Sequence, residues 1–228
     1  MIRNSILFAA VAAAAATLFA QDTESKPTKK ILKQAWEPGD KGKVTYKADL
    51  KGKTSSSWTG QSWPFTGTTG SADVELEVVK GGKFSSGGKT EAISPETLDT
   101  SFLLPGKEAK AKLAWTPDAA KFTAFLKKFS GGDVGALSCS KAECKAADVG
   151  DDRVEIEISA QVSSKFDGGQ AKRNFDVKMA GKMVFDLKKN KVTELKLEAK
   201  AFKIQGKWDQ WDIEGEGSEF TISYSYSE

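Results

Sequence analysis

The stretch RVEIEISAQVSSKF, residues 153–166, decides the fold because its apolar side chains recur at every second position. Val154, Ile156 and Ile158 fall on one side of an extended chain, and the polar residues between them fall on the other side. The same phase continues through Ala160, Val162 and Phe166. Alternation of this kind is typical of a strand in an antiparallel sheet, with one buried face and one solvated face.

The same period of two recurs on both sides of this stretch. The alternating apolar positions are Val44, Tyr46 and Ala48; Val74, Leu76 and Val78; Phe175, Val177 and Met179; Met183, Phe185 and Leu187; Leu195, Leu197 and Ala199; and Phe220, Ile222, Tyr224 and Tyr226. Short polar turns separate these segments, as expected of hairpins. The sequence therefore predicts a mainly β protein in which an antiparallel meander forms a curved sheet, an open barrel or a sandwich.

One segment, TPDAAKFTAFLKKFSGG at residues 116–132, breaks the β pattern. Thr116 is a candidate cap and Pro117 favours the first helical position, while Gly131 provides a stop. Three phenylalanines and a leucine recur at helical spacing: Phe122, Phe125, Leu126 and Phe129. The segment predicts one amphipathic α-helix packed on the sheet; the alternative is a lid over an apolar ligand cavity.

The N-terminus has the order of a secretory signal peptide, with Arg3 before an apolar run and the small residue Ala20 as a cleavage point. The run, residues 6–16, is shorter than the about 18 apolar residues that span a bilayer. No later stretch is long and apolar enough to do so. We expect cleavage near Ala20 and a soluble mature protein, without a transmembrane segment, that is secreted or periplasmic.

The remaining chain divides into a polar arm or short helix at residues 21–40 and one β-rich domain at residues 41–228. A faint internal echo suggests two similar halves, residues 41–116 and 150–228. The helix at residues 117–130 and a cysteine-containing loop would then join the two halves.

The composition excludes several kinds of function. With no histidine in the chain, neither a Ser-His-Asp triad nor a histidine metal site can form. Only Arg3, Arg153 and Arg173 among the 34 basic residues are arginine, and the lysines alternate with acids, which argues against nucleic-acid binding. We expect no enzymatic activity, no cofactor and no bound metal.

Cys139 and Cys144 are the two cysteines, and four residues lie between them. In an oxidising compartment such a pair most simply forms a disulfide that closes a short loop. Redox chemistry and free thiols are the two alternatives, although a redox pair usually has only two intervening residues.

The stretch GKWDQWDIEGEGSEF, residues 206–220, places Trp208 and Trp211 among acids. A bulge at residues 209–210 would bring both indoles to the buried face, with EGEGSE, residues 214–219, as the next hairpin turn. We therefore predict two core residues. The alternative is a stacking platform for sugars beside carboxylates. Those carboxylates would come from Asp209, Asp212, Glu214 and Glu216.

A second aromatic stretch, SSSWTGQSWPFTG at residues 55–67, places Trp58, Trp63 and Phe65 among turn-forming residues. These side chains either fold onto the core or form an exposed contact surface, and the rarity of exposed apolar patches favours packing.

These observations predict an exported protein with a binding or structural role in the cell envelope or extracellular space. A curved sheet with a helix across it can hold an apolar ligand. The alternative is a carbohydrate-binding module or glycoside-active protein that uses its tryptophans. An apolar cavity would favour the first function, and a row of exposed aromatic rings would favour the second.

Overall fold

The computed structural model describes residues 29–228, apart from the side chains of residues 71–73. The predicted signal peptide, residues 1–20, lies outside the described residues, as does the first part of the arm. From residue 29 to Asp40 the chain contains no helix. Of the two alternatives for residues 21–40, the short helix is therefore wrong for the described part.

Ten strands and one α-helix make up the described chain. The strands are β1 Lys41–Ser56, β2 Ser62–Val79, β3 Lys83–Ser86, β4 Lys89–Ala92, β5 Ala114–Trp115, β6 Ala136–Val149, β7 Arg153–Asp167, β8 Ala171–Asp186, β9 Lys191–Trp208 and β10 Trp211–Ser227. The helix is α1, Ala119–Leu126. Four 3₁₀ turns lie at Pro95–Thr97, Ser101–Leu103, Lys127–Phe129 and Gly132–Val134.

All ten strands belong to one antiparallel sheet in the order β4-β3-β2-β1-β10-β9-β8-β7-β6-β5. The sheet is open, and its two edges are the short strands β4 and β5. Strands β1–β4 and β7–β10 join through the pairing of β1 with β10, for example Val44 with Tyr226, whereas β5 pairs with β6 at the other edge. The prediction of a mainly β antiparallel meander is confirmed, and the sheet is neither a closed barrel nor a sandwich.

Helix α1 lies against the inner face of the sheet, as predicted. Its N-cap is Asp118, whose carboxylate accepts hydrogen bonds from the backbone N–H groups of Ala120 and Lys121, at 2.8 and 3.1 Å. Asp118 thus takes the role that the sequence suggested for Thr116. Within residues 29–228, no helix is long and apolar enough to cross a bilayer.

The phenylalanines of the helical segment fill the interior. Phe122, Phe125 and Phe129 are completely buried. The ring of Phe125 lies 5.9 Å from that of Tyr224 on β10, and the ring of Phe129 lies 5.6 Å from that of Tyr46 on β1. Because these contacts join the helix to the first and last long strands, the segment belongs to the core and has no free apolar side of the kind a lid would need.

The chain before β1 is fixed at the end of the sheet where β1 begins and β10 ends. Leu32 is completely buried, and the ammonium of Lys191 lies 2.8 Å from a carboxylate oxygen of Asp40. The same ammonium lies 4.5 Å from the ring centroid of Trp36, which contacts Tyr226 edge-on. Residues 29–40 therefore form an extended arm docked on the sheet.

The predicted disulfide is wrong: Cys139 and Cys144 are free and buried. Both lie on strand β6, where five positions at about 3.3 Å each separate their Cα atoms far beyond the roughly 7 Å that a disulfide spans. A register shift between Cys139 and Lys141 adds one residue, so that both thiols face inward in spite of their odd spacing. The sequence was interpreted as a loop because this bulge conceals the alternation.

We expect both thiols to be unreactive in the folded protein. Burial raises the pKa of Cys139 and raises that of Cys144 to about 12, so both thiols stay protonated near neutral pH. Without reductant, iodoacetamide should modify neither residue in buffer and both residues in denaturant, as measured by intact mass. If the denatured protein takes up iodoacetamide only after reduction, the two cysteines form a disulfide after all.

We expect Phe125→Ala to lower the free energy of unfolding by about 3–5 kcal/mol, because it removes a completely buried ring from the centre of the core. Lys121→Ala, on the exposed side of the same helix, is the matched control and should change it by less than about 0.5 kcal/mol. Urea denaturation measures both values. Equal, small effects of the two substitutions would show that α1 is not part of the core.

Candidate functional site: a tryptophan tip

Three hairpins end together at the end of the sheet opposite the docked arm: β1–β2, β7–β8 and β9–β10. The β9–β10 turn consists of Asp209 and Gln210, and Trp208 and Trp211 form the cross-strand pair that closes it. Asp209 has a φ of 54°, a left-handed conformation that aspartate tolerates better than most residues. The bulge predicted at these two positions is therefore a turn, and the turn predicted at residues 214–219 is wrong because those residues lie within β10.

The tryptophans at this end share the inner face of the sheet. Trp208 continues the alternation of Phe202 and Ile204 on β9, and Trp211 begins the alternation that includes Ile213 on β10. These three apolar neighbours are buried, at 7%, 2% and 4% exposure. The apolar stripe of the core thus runs to the very end of both strands.

The prediction that Trp208 and Trp211 are buried core residues is wrong, because 55% and 41% of their surfaces are exposed. Trp58 and Trp63, for which packing was favoured, are 69% and 44% exposed. Trp63, Trp208 and Trp211 lie at the ends of their strands, and Trp58 lies in the turn between β1 and β2. Among residues 29–228, no helix or further strand covers this end of the inner face.

The four indoles form two stacks that join the first hairpin to the last. The ring centroids of Trp58 and Trp211 are 5.1 Å apart with an interplanar angle of 12°, and those of Trp63 and Trp208 are 6.4 Å apart with an angle of 20°. We call Trp58, Trp63, Trp208 and Trp211 the tryptophan tip. Stacking fixes the four rings relative to one another and leaves much of their surface in water.

A layer of cation–π contacts lies below the tryptophan tip. The guanidinium of Arg173 on β8 is held between two rings, 4.3 Å from the centroid of Phe65 on β2 and 4.4 Å from that of Phe166 on β7. Its side chain is 11% exposed and forms an ion pair with Asp133. The backbone of Asp133 also lies close to Gly67 on β2: a Cβ added to Gly67 would lie 2.9 Å from the carbonyl carbon of Asp133. These contacts hold β2 and β8 together across the concave side of the sheet.

Sequence reasoning placed Phe65 among the candidate contact residues but missed Arg173 and Asp133. Phe65 is half-buried under the guanidinium instead of standing free beside the indoles. The rarity of arginine in this chain was the available signal, since arginine stacks on aromatic rings better than lysine does. No local pattern pairs it with a ring more than 100 positions away.

The acidic residues of β10 do not share the face of the indoles. Asp212, Glu214 and Glu216 alternate with the inward positions, are exposed, and point to the outer face of the sheet. Lys207 lies 3.9 Å from Asp212, and Lys53 lies 3.7 Å from Glu216. Glycosidases hold two carboxyls on either side of one bond, and these three side chains do not converge on the tryptophan tip.

Uncharged polar groups lie beside the tryptophan tip, together with the carboxylate of Asp209 in the β9–β10 turn. Each of the three hairpins has an exposed glutamine in or next to its turn: Gln61, Gln170 and Gln210. Lysine and arginine are absent from residues 57–62 and 208–211. Each carboxamide offers both a donor and an acceptor for hydrogen bonds.

The indole N–H groups of the tryptophan tip are available as well. Those of Trp36 and Trp115, the two other tryptophans, donate to Asp99 and to the carbonyl of Leu103, at 3.2 and 2.7 Å. Among the hydrogen bonds of the described residues, none is donated by an indole N–H of the tryptophan tip.

The described residues show a shallow depression of about 380 Å³ on the outer face, between Lys53, Lys203 and Glu216. Two larger depressions, of about 590 and 720 Å³, lie beside Trp115 and Cys144 and between Gly52, Phe202 and Gly217, and they too are shallow and open to solvent. No group of three or more acids or cysteines within residues 29–228 is arranged to bind a metal ion.

No protein-family model, curated protein or solved structure matches this chain. The tryptophan tip is the largest group of exposed aromatic side chains among the described residues.

We expect Trp58→Ala to lower the free energy of unfolding by only about 1 kcal/mol, the contribution of one stacked aromatic pair, because its side chain is mostly in water. Ile213→Ala, at a buried position on the same end of the sheet, should lower it by about 2–5 kcal/mol. Chemical denaturation of the two variants checks the contrast. If Trp58→Ala lowers the free energy of unfolding by about 3 kcal/mol or more, as truncation of a buried aromatic residue does, the ring belongs to the core.

Proposed function

We propose that this chain is an exported, non-catalytic binding protein whose contact surface is the tryptophan tip. The observation that carries the proposal is the exposure of four indoles in two stacked pairs at one end of the sheet. Soluble proteins seldom leave a contiguous apolar group of this size in water unless it binds something. Tryptophan is also the residue most enriched where binding energy concentrates.

The fold has little need of these four rings. The phenylalanines of the α1 segment lie at the centre of the interior, and Ile204 and Ile213 are the last buried apolar side chains of β9 and β10 before the indoles. A protein selected for stability and solubility alone would gain from polar residues at the strand ends. The presence of four tryptophans in these positions therefore supports a role in contact with another molecule.

The tryptophan tip is also organised in advance of binding. Three of its rings are attached to paired strands, and the fourth, that of Trp58 in the β1–β2 turn, stacks on Trp211. The rings stand above the Arg173 layer. Side chains that are already ordered lose little conformational entropy when a ligand arrives, so more of the contact energy appears as affinity. This supports a binding surface over a flexible apolar patch.

The chemistry of the surroundings favours binding over catalysis. The acids of β10 are exposed on the opposite face of the sheet. The thiols of Cys139 and Cys144 are buried, and burial raises their pKa values. Neither set supplies a reactive group at the tryptophan tip. The expected export of the chain places this surface in contact with envelope or extracellular material.

Cosedimentation with a crude bacterial cell-envelope preparation, containing wall and membrane, tests the proposal. We expect the wild-type protein to sediment and Trp58→Ala/Trp211→Ala to remain in the supernatant, because the double substitution removes one complete stack. Ile31→Ala is the matched control, since Ile31 is 45% exposed but lies on the docked arm at the other end of the sheet.

Equal sedimentation of the wild type and the double variant would exclude the tryptophan tip as the contact surface. Absence of wild-type sedimentation would contradict a role in binding the envelope. Circular dichroism spectra and thermal melts of each variant establish that the comparison is made between folded proteins.

A further inference from the structure

We propose that the ligand of the tryptophan tip is a neutral polysaccharide whose sugar rings present flat C–H faces, such as a β-1,4-linked chain with equatorial hydroxyls. The inference rests on the proposed function, since it names the ligand of the same surface. Three properties of the tryptophan tip carry it: the ring geometry, the uncharged hydrogen-bonding groups and the sign of the nearby charge.

The ring geometry suits contact from outside the stacks. At 5.1 and 6.4 Å between centroids, the paired indoles leave no space for a sugar ring between them. A ligand must therefore lie across the free surfaces and edges, which at 41–69% exposure are extensive. Flat C–H faces of pyranose rings pack on such surfaces, and four indoles in one group offer contact to several successive rings of a chain.

The hydrogen-bonding groups match sugar hydroxyls. Gln61, Gln170 and Gln210 surround the tryptophan tip on its three hairpins, and each side chain can donate and accept at once. A hydroxyl has the same double capacity, and the indole N–H groups without protein acceptors add donors. An aliphatic lipid chain would use the rings but would leave these polar groups without partners.

The charge near the tryptophan tip disfavours polyanions and anionic membranes. Residues 57–62 and 208–212 contain two acids, Asp209 and Asp212, and no base. Two lysines on the adjoining strands face acids: Lys172 lies 3.2 Å from Asp167, and Lys207 lies 3.9 Å from Asp212. Binding to phosphate-rich polymers or lipids depends on unpaired basic groups at the contact.

Retention on insoluble β-1,4-glucan and on chitin tests the inference with purified probes. We expect the wild-type protein to bind at least one of them, with little change in affinity between low and moderate salt, since ion pairing contributes little. Trp58→Ala should weaken the binding about tenfold or more, and Trp58→Ala/Trp211→Ala should abolish it. The double variant Gln61→Ala/Gln210→Ala should weaken it by about threefold to tenfold through lost hydrogen bonds.

The same variants separate this inference from the proposed function. Ile31→Ala should bind as the wild type does. If neither polysaccharide retains the wild type, while envelope material still does in a tryptophan-dependent way, the ligand class is wrong and the binding surface stands. Tryptophan-dependent cosedimentation with phosphatidylcholine vesicles, or a tryptophan-dependent dimer in sedimentation velocity, without polysaccharide retention would overturn the inference in favour of a membrane or a second copy.

Discussion

A single sheet with one apolar face has to have that face covered, and the rest of this structure depends on how the chain does so. With no second sheet to pack against, the inner face curves around one helical segment. The completely buried rings of Phe122, Phe125 and Phe129 lie at the centre of the cover, and contacts from Phe125 and Phe129 reach β10 and β1. The segments on either side add Leu32, Leu103 and Val134, which are also completely buried. One short segment thus replaces a whole layer of the usual sandwich.

The cover is shorter than the strands, and this difference creates the candidate site. Past the α1 segment, the ion pair and cation–π contacts of Arg173 close the core between β2 and β8. The apolar alternation of β9 and β10 continues beyond this layer to Trp208 and Trp211. The tryptophan tip is therefore the uncovered end of the same face whose middle forms the core.

Much of the fold could be predicted because alternation is a local property of the sequence. Strand β7 shows the pattern without interruption from Val154 to Val162, and the spacing of the phenylalanines marks the helix equally well. Both patterns reflect which side of an element is apolar, and the structure has these apolar sides facing inward.

The errors have two physical causes. Bulges displace the alternation without a clear signal, as between Cys139 and Lys141 and near Ala201, whose φ is 54°. In addition, alternation reveals the face on which a side chain lies but not what covers that face. Trp208 is on the inner face as predicted and still 55% exposed, because coverage depends on the length of a distant helical segment.

The tryptophan tip forms only after the first long strand has paired with the last. Trp58 and Trp211 stack although 153 positions separate them along the chain, and Trp63 meets Trp208 in the same way. Neither stack can form until β10 has docked on β1, which is a non-local step that needs both strands. A chain that lacks β10 therefore lacks the contact surface, and assembly of the surface reports that the first and last long strands have paired.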